Sequence, residues 1–201
     1  MESNISSEES HPVAGKGTRN RILDLAESLL LDKGFNGFSY KHIAEQLGVK
    51  NAAIHYHFPA KSDLGTALVE RYRRRFSRWI VQQQEQSLSS TEKLSGYFGI
   101  TLSYLRHGGK VCPLGILETE FNVLPVAVRD EARALDKEMR EWLSGVLEEG
   151  RASGEFVFDG EAMGKSLVIT ASLQGVLQIA RAAGPEVVFA AVRQLKKDLG
   201  I

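Results

Sequence analysis

The residues with the most chemistry to offer lie close together in the run NAAIHYHFPAKSDL, positions 51 to 64. Two imidazoles, His55 and His57, flank the phenol of Tyr56, and an amine follows at Lys61. Imidazoles invite metal or acid–base chemistry. On a helix, however, residues two apart point about 200° from one another, so His55 and His57 cannot share one ion. Neither ring has a carboxylate or nucleophile at a recognisable spacing, which removes a catalytic histidine. Hydrogen bonding from a helix face remains. At about 100° per residue, a helix over 51–58 turns Ile54 and Phe58 inward and Tyr56 outward beside Ala52 and Ala53, with the imidazoles on the flanks. Small methyls permit close approach to base edges, a phenol can hydrogen-bond them, and Lys61 just beyond the helix would reach a phosphate.

A second reactive group stands alone. Cys112 precedes Pro113, a residue favoured at the first helical position, so its sulfur falls at a helix N-cap. The helix dipole and nearby Lys110 would lower its pKa, giving an electrophile or redox sensor; a small buried apolar side chain is the plainer reading. Glu118 and Glu120 lie two apart, face different ways and make no carboxylate pair. Phosphate-binding glycine loops, nucleophile elbows and metal-ligand clusters are missing, so no enzyme, cofactor or metal is expected.

The elements that position these groups are helical throughout. Ile22, Leu23, Ala26, Leu29 and Leu30 recur at helical spacing from Thr18 until Gly34, and Ser39 opens a second stripe, Ile43, Ala44 and Leu47, closed by Gly48. A three-residue turn leads into 51–58, and Pro59 ends that helix before a long one from Ser62 to about Gln86. Further helices are expected at about 91–107, 113–122, 125–150, 160–183 and 186–198, separated by HGGK, Leu124-Pro125, SGEFVFDG and Gly184-Pro185. The fold class is all-α. A short helix entered through a glycine turn from another helix is the helix-turn-helix plan, although helical proteins that never touch nucleic acid use the same arrangement.

Charge separates these readings in part. The 201 residues carry no net charge, yet positions 16–80 hold twelve Lys/Arg against six Asp/Glu, positions 1–15 three Glu and no Lys/Arg, and positions 81–201 thirteen Lys/Arg against sixteen Asp/Glu. An excess of six positive charges confined to one third of the chain suits an anionic partner for that third. Residues 1–15, rich in Ser and Glu, read as a disordered tail without signal-peptide character. A single cysteine fits a reducing cytoplasm, and the longest uncharged run, residues 166–180, is too short to span a bilayer, so no membrane is expected.

The run TRNRILDLAESLLLDKGFNGFSYKHIAEQLGV through NAAIHYHFPAKSDL resembles the DNA-binding domain of TetR-family transcriptional regulators along residues 17–75. The likeness rests on the Lys-Gly-Phe turn, the Phe-Ser entry to the second helix, Ile-Ala…Leu-Gly-Val, and the closing Tyr-His-Phe-Pro-x-Lys-x-x-Leu. It implies an N-terminal three-helix helix-turn-helix DNA-binding domain over 16–62 and a larger helical ligand-binding and dimerisation domain over 63–201. Carried over residue by residue, it implies that Tyr40 and Lys41 reach DNA, that Asn51, Ala52, Ala53, His55 and Tyr56 lie in the major groove, and that His57 and Lys61 meet the backbone. Ala53, where the family often has Thr or Ser, and His55, where Tyr is common, depart from the pattern and leave the operator sequence open.

The resemblance also implies a homodimer built from the last two helices, a palindromic double-stranded DNA operator, and a repressor released by a small-molecule effector. Residues 162–183 fit such an interface, with Leu167, Ala171 and Gly175 among apolar and small residues that let helices pack closely; burial inside one chain would explain them equally well. Trp79, Tyr97, Tyr104, Phe121 and Trp142, with Glu118 and Cys112, are the candidate effector residues, although most aromatics of this kind are simply core. GGKVCPLG is similar to a segment in some family members, a few of which respond to reactive aldehydes, quinones or chlorinated oxidants. The alternative to a non-covalent effector is therefore a thiol sensor at Cys112.

Overall fold

The structure, a computed structural model, describes residues 17–106 and 111–201. The expected tail at 1–15, the HGGK break and Lys110 lie outside the described residues. Within them the chain is helical, with α1 (Thr18–Lys33), α2 (Tyr40–Leu47), α3 (Asn51–His57), α4 (Lys61–Glu85), α5 (Ser90–Arg106), α6 (Pro113–Thr119), a 3-10 turn (Phe121–Val123), α7 (Val126–Ala152), α8 (Ala162–Ala183) and α9 (Glu186–Lys197).

Local signals place most boundaries. Gly34 ends α1 at φ 78°, and Gly48 ends α2 in a left-handed conformation at φ 67°, both open to glycine without strain. Ser39 opens α2, where its backbone N–H donates to His42 Nδ1 at 3.1 Å. Pro113 occupies the first turn of α6, as its fixed φ favours. That helix stops at Thr119, short of the expected 122, because the backbone tightens into the 3-10 turn at Phe121.

Two apolar cores stack along α4 and α7. The first joins Ile22, Leu30, Ile43, Ile54 and Leu68 of the N-terminal helices to Leu114 and Leu117 of α6 and Val128 and Leu135 of α7. The second gathers Phe98 of α5, Leu143 and Leu147 of α7, Phe156 of the loop that follows α7, Ile169 of α8 and Leu195 of α9. The first core thus crosses the boundary drawn at residue 62, and α4 runs through it as one helix of 25 residues, about 38 Å long. Gly65 lets this contact close, since a Cβ there would lie 2.7 Å from both Phe35 and Val128. By length and composition α8 could cross a membrane. In this fold it buries Ile169, Leu173 and Leu177 in the two cores and keeps its exposed apolar residues along one side.

Candidate functional site

Helix α3 is anchored by Ile54, which is fully buried, and by Phe58 at its C-cap, whose ring lies 5.0 Å below the Arg19 guanidinium. That anchoring leaves Asn51, Ala52, His55 and Tyr56 exposed and Ala53 and His57 half-buried. Tyr56 is 84% exposed, an unusual state for so large a ring, and stacks edge-on with His57 at 5.1 Å. His55 lies edge-on to Tyr40 at 4.7 Å, and its Nδ1 is 3.1 Å from Pro59 O. For that contact to be a hydrogen bond, Nδ1 must donate its proton to the carbonyl. Lys41 is exposed at the start of α2, loosely paired with Glu45 at 3.8 Å. Lys50, exposed at the N-cap of α3, joins this face without having been singled out by the sequence; its place beside the first residues of α3 was the available signal.

Two expected DNA contacts point elsewhere. Tyr40 is buried, its hydroxyl donates to Phe58 O at 2.8 Å, and burial first, then Asp63, pushes its pKa up to about 12. It ties α2 to the end of α3. Lys61 turns inward from the first turn of α4: Nζ donates to Phe35 O at 2.6 Å and to Phe38 O, and sits 4.7 and 4.6 Å from the Phe35 and Phe38 ring centres. Burial lowers its pKa, with Glu120 opposing. Two carbonyls and two rings occupy the ammonium that was expected at a phosphate.

A cavity of about 560 Å³ opens between α1, α4, α5, α6 and α7, within the usual range for small-molecule sites. Phe76, Trp79, Ile100, Leu114, Leu135 and Met139 make its walls largely apolar, while Asp24, Glu27 and Ser28 of α1 and Arg75 of α4 form a polar edge. There Arg75 Nη1 lies 2.5 Å from Glu27, and Arg71 pairs with both Asp24 and Glu27. The α1 residues fall outside the set expected around an effector, because the sequence places that helix in the DNA-binding domain. Their signal was two carboxylates three apart facing a helix rich in arginine.

Of the seven residues expected around an effector, the cavity gathers Trp79, Tyr104 and Cys112. Tyr97 and Trp142 stand outside its lining, in a cluster where Trp142 meets Trp79 at 4.9 Å and Tyr97 at 5.7 Å. Glu118 turns toward Gln174, and burial first, then Asp136, raises its pKa. Phe121 packs under the Arg133 guanidinium at 4.8 Å.

Cys112 occupies the expected N-cap of α6 and faces the cavity. Burial raises the pKa of its thiol, outweighing the Gly115 and Leu114 backbone N–H groups that favour the thiolate. A raised pKa means less thiolate at neutral pH, so the native protein should react with a maleimide more slowly at pH 7 than a free cysteine does. Thiol titration with and without denaturant checks this, and equal rates would contradict it.

Along α8, Leu167, Val168 and Ile179 are 54%, 56% and 57% exposed, with Ala171 and Gly175 exposed between them. These positions recur every three to four residues and form one apolar stripe, beside which Phe189 of α9 is also exposed. So much aliphatic surface in one line is characteristic of an interface rather than a free face.

A family model described as bacterial regulatory proteins, tetR family, matches residues 22–68. A TetR-family transcriptional regulator from Agrobacterium tumefaciens is 33% identical, with 90% of this chain and 96% of that one covered and a TM-score of 0.84. A TetR transcriptional regulator from Legionella pneumophila is 32% identical over 93% of this chain and all of its own, with a TM-score of 0.83. The HTH-type transcriptional repressor KstR2 of Mycolicibacterium smegmatis is 27% identical over 143 residues, covering 69% of this chain and 67% of the relative.

Proposed function

Because this chain belongs to the TetR family of bacterial regulatory proteins and is a DNA-binding transcriptional regulator, we propose that it represses by inserting α3 into the major groove of a palindromic operator. The observation that carries this reading is α3 itself: anchored by Ile54, it presents Asn51, Ala52 and an almost fully exposed Tyr56 on one face. Lys41, Lys50, His55 and His57 flank that face and supply backbone contacts and hydrogen-bonding groups. The protein acts as a cytoplasmic homodimer joined through the stripe on α8 and the adjoining face of α9. Two copies of α3 then meet successive major grooves about 34–36 Å apart.

Release comes from a small molecule in the cavity. Its walls suit a largely apolar, partly aromatic effector whose polar end meets Glu27 and Arg75. An occupant there touches α1 and α4 together, and so bears on the DNA-binding helices and the dimerising domain at once. With its thiol protonated, Cys112 serves as cavity wall in this reading rather than as a reactive trigger. Footprinting on DNA upstream of the protein's own coding sequence tests the assignment. Two protected half-sites related by a two-fold axis are expected, and protection that is uniform along the fragment would overturn it.

A further inference from the structure

Helix α6 touches the cavity at one end and the DNA-binding domain at the other. Cys112, Pro113 and Leu114 at its start line the cavity wall. The helix stops at Thr119, and the carboxylate of its C-cap residue Glu120 reaches across to the turn between α1 and α2. There Glu120 Oε2 accepts from the Asn36 backbone N–H at 3.0 Å and from Asn36 Nδ2 at 3.1 Å.

The seat for that carboxylate is built into the turn. Gly34 has φ 78°, and a Cβ added to it would lie 2.1 Å from Glu120 Oε1, so any other residue there would expel the carboxylate. Glu120 is held at its own end as well, with its N–H bonded to Ile116 O at 3.2 Å and its carbonyl accepting from Val123 N–H at 2.9 Å. Between the two ends, Leu114, Ile116 and Leu117 are packed in the first core, which makes α6 a short rigid rod about 10 Å long. Lys61 grips the same turn from the α4 side through Phe35 O and Phe38 O.

We propose that Glu120 is the coupling residue of this regulator: displacement of α6 by a molecule in the cavity is delivered to the α1–α2 turn, and so to α2 and α3, through the Glu120–Asn36 contact. The inference rests on the cavity being the effector site. Glu120 touches neither DNA nor effector; it acts by positioning the turn.

The single cysteine supplies a defined occupant. Prolonged treatment with N-phenylmaleimide at mildly alkaline pH places one aromatic adduct at Cys112, with stoichiometry confirmed by intact mass. Operator affinity is then measured with and without the adduct for wild type, Glu120→Ala, Glu120→Gln and Asn36→Ala, with hydrogen exchange at the Asn36 amide read in parallel. The adduct should weaken wild-type binding about fivefold or more, as expected for a coupled pair of sites, and should accelerate exchange at Asn36. In Glu120→Ala and Asn36→Ala the adduct should change affinity less than about twofold, with Glu120→Gln between, since its amide oxygen can still accept one bond. An equal loss of affinity in wild type and Glu120→Ala would overturn the role of Glu120 and leave the cavity reading standing. If the adduct changes neither affinity nor exchange in wild type, the cavity is not an effector site, and both readings fall together.

Discussion

Gly175→Arg should convert the protein from dimer to monomer and abolish operator binding at concentrations where wild type is saturated. Gly175 is exposed on α8, and a Cβ added there meets nothing within 4 Å inside its own protomer, so the monomer fold should tolerate the substitution. In a dimer joined through Leu167, Val168, Ala171 and Ile179, the same guanidinium would be buried on both sides without a partner. An uncompensated buried charge costs about 3–5 kcal/mol, which is roughly two to four orders of magnitude in dimer affinity. Sedimentation or light scattering checks the mass, and circular dichroism confirms that the helices persist. A variant that remains dimeric would move the interface away from this face.

Lys61→Ala should destabilise the DNA-binding helices rather than merely weaken their grip on phosphate. The ammonium donates to two carbonyls at the α1–α2 turn and lies over two aromatic rings. Hydrogen bonds from a charged group contribute about 1.5–3 kcal/mol, and removing the donor also strands the Phe35 and Phe38 carbonyls. Thermal unfolding should therefore begin several degrees lower, by about 3–12 °C at the roughly 2–4 °C per kcal/mol expected for a chain of this length whose first core spans both parts. The salt dependence of the remaining DNA binding should not change, because no released counterion belongs to Lys61. A drop of about one in the salt slope with unchanged stability would instead return Lys61 to the phosphate backbone.

The difference between Gly175 and Lys61 reflects what the sequence made legible. Helical periodicity alone oriented Ile54 inward and Tyr56 outward, because i and i+4 share a face whatever surrounds the helix. The same rule separated Glu118 from Glu120, which turn toward Gln174 and Asn36 respectively. Lys61 and Tyr40 depend on more than spacing. Each stands at the first residue of its helix, where the side chain can lean toward solvent or fold back onto the preceding turn. Tyr40 finds its partner eighteen residues away at Phe58, and Lys61 finds Phe35 twenty-six residues back. Partners that distant are set by tertiary packing.

The cavity was legible in part for a similar reason. Aromatics near one another in sequence marked its neighbourhood, yet which rings face the void depends on how α4, α5 and α7 cross. Trp79 lines it, whereas Trp142, packed against Trp79, does not. The contribution of Asp24 and Glu27 was hidden by the division at residue 62, which the first core ignores. The same burial that encloses the cavity reverses the expected shift at Cys112, since desolvation of a thiolate outweighs the pull of a helix N-terminus.

Removal of the Tyr56 ring in Tyr56→Ala shows whether α3 reads DNA through its exposed face. Tyr56 is solvent-facing, so its removal leaves the core and the fold unchanged. At fixed salt, anisotropy titration of the footprinted operator should show the variant weaker by about 1–3 kcal/mol per half-site, with affinity for unrelated DNA little altered. Unchanged operator affinity in a fully folded, dimeric Tyr56→Ala variant would contradict the assignment of α3 as the recognition helix.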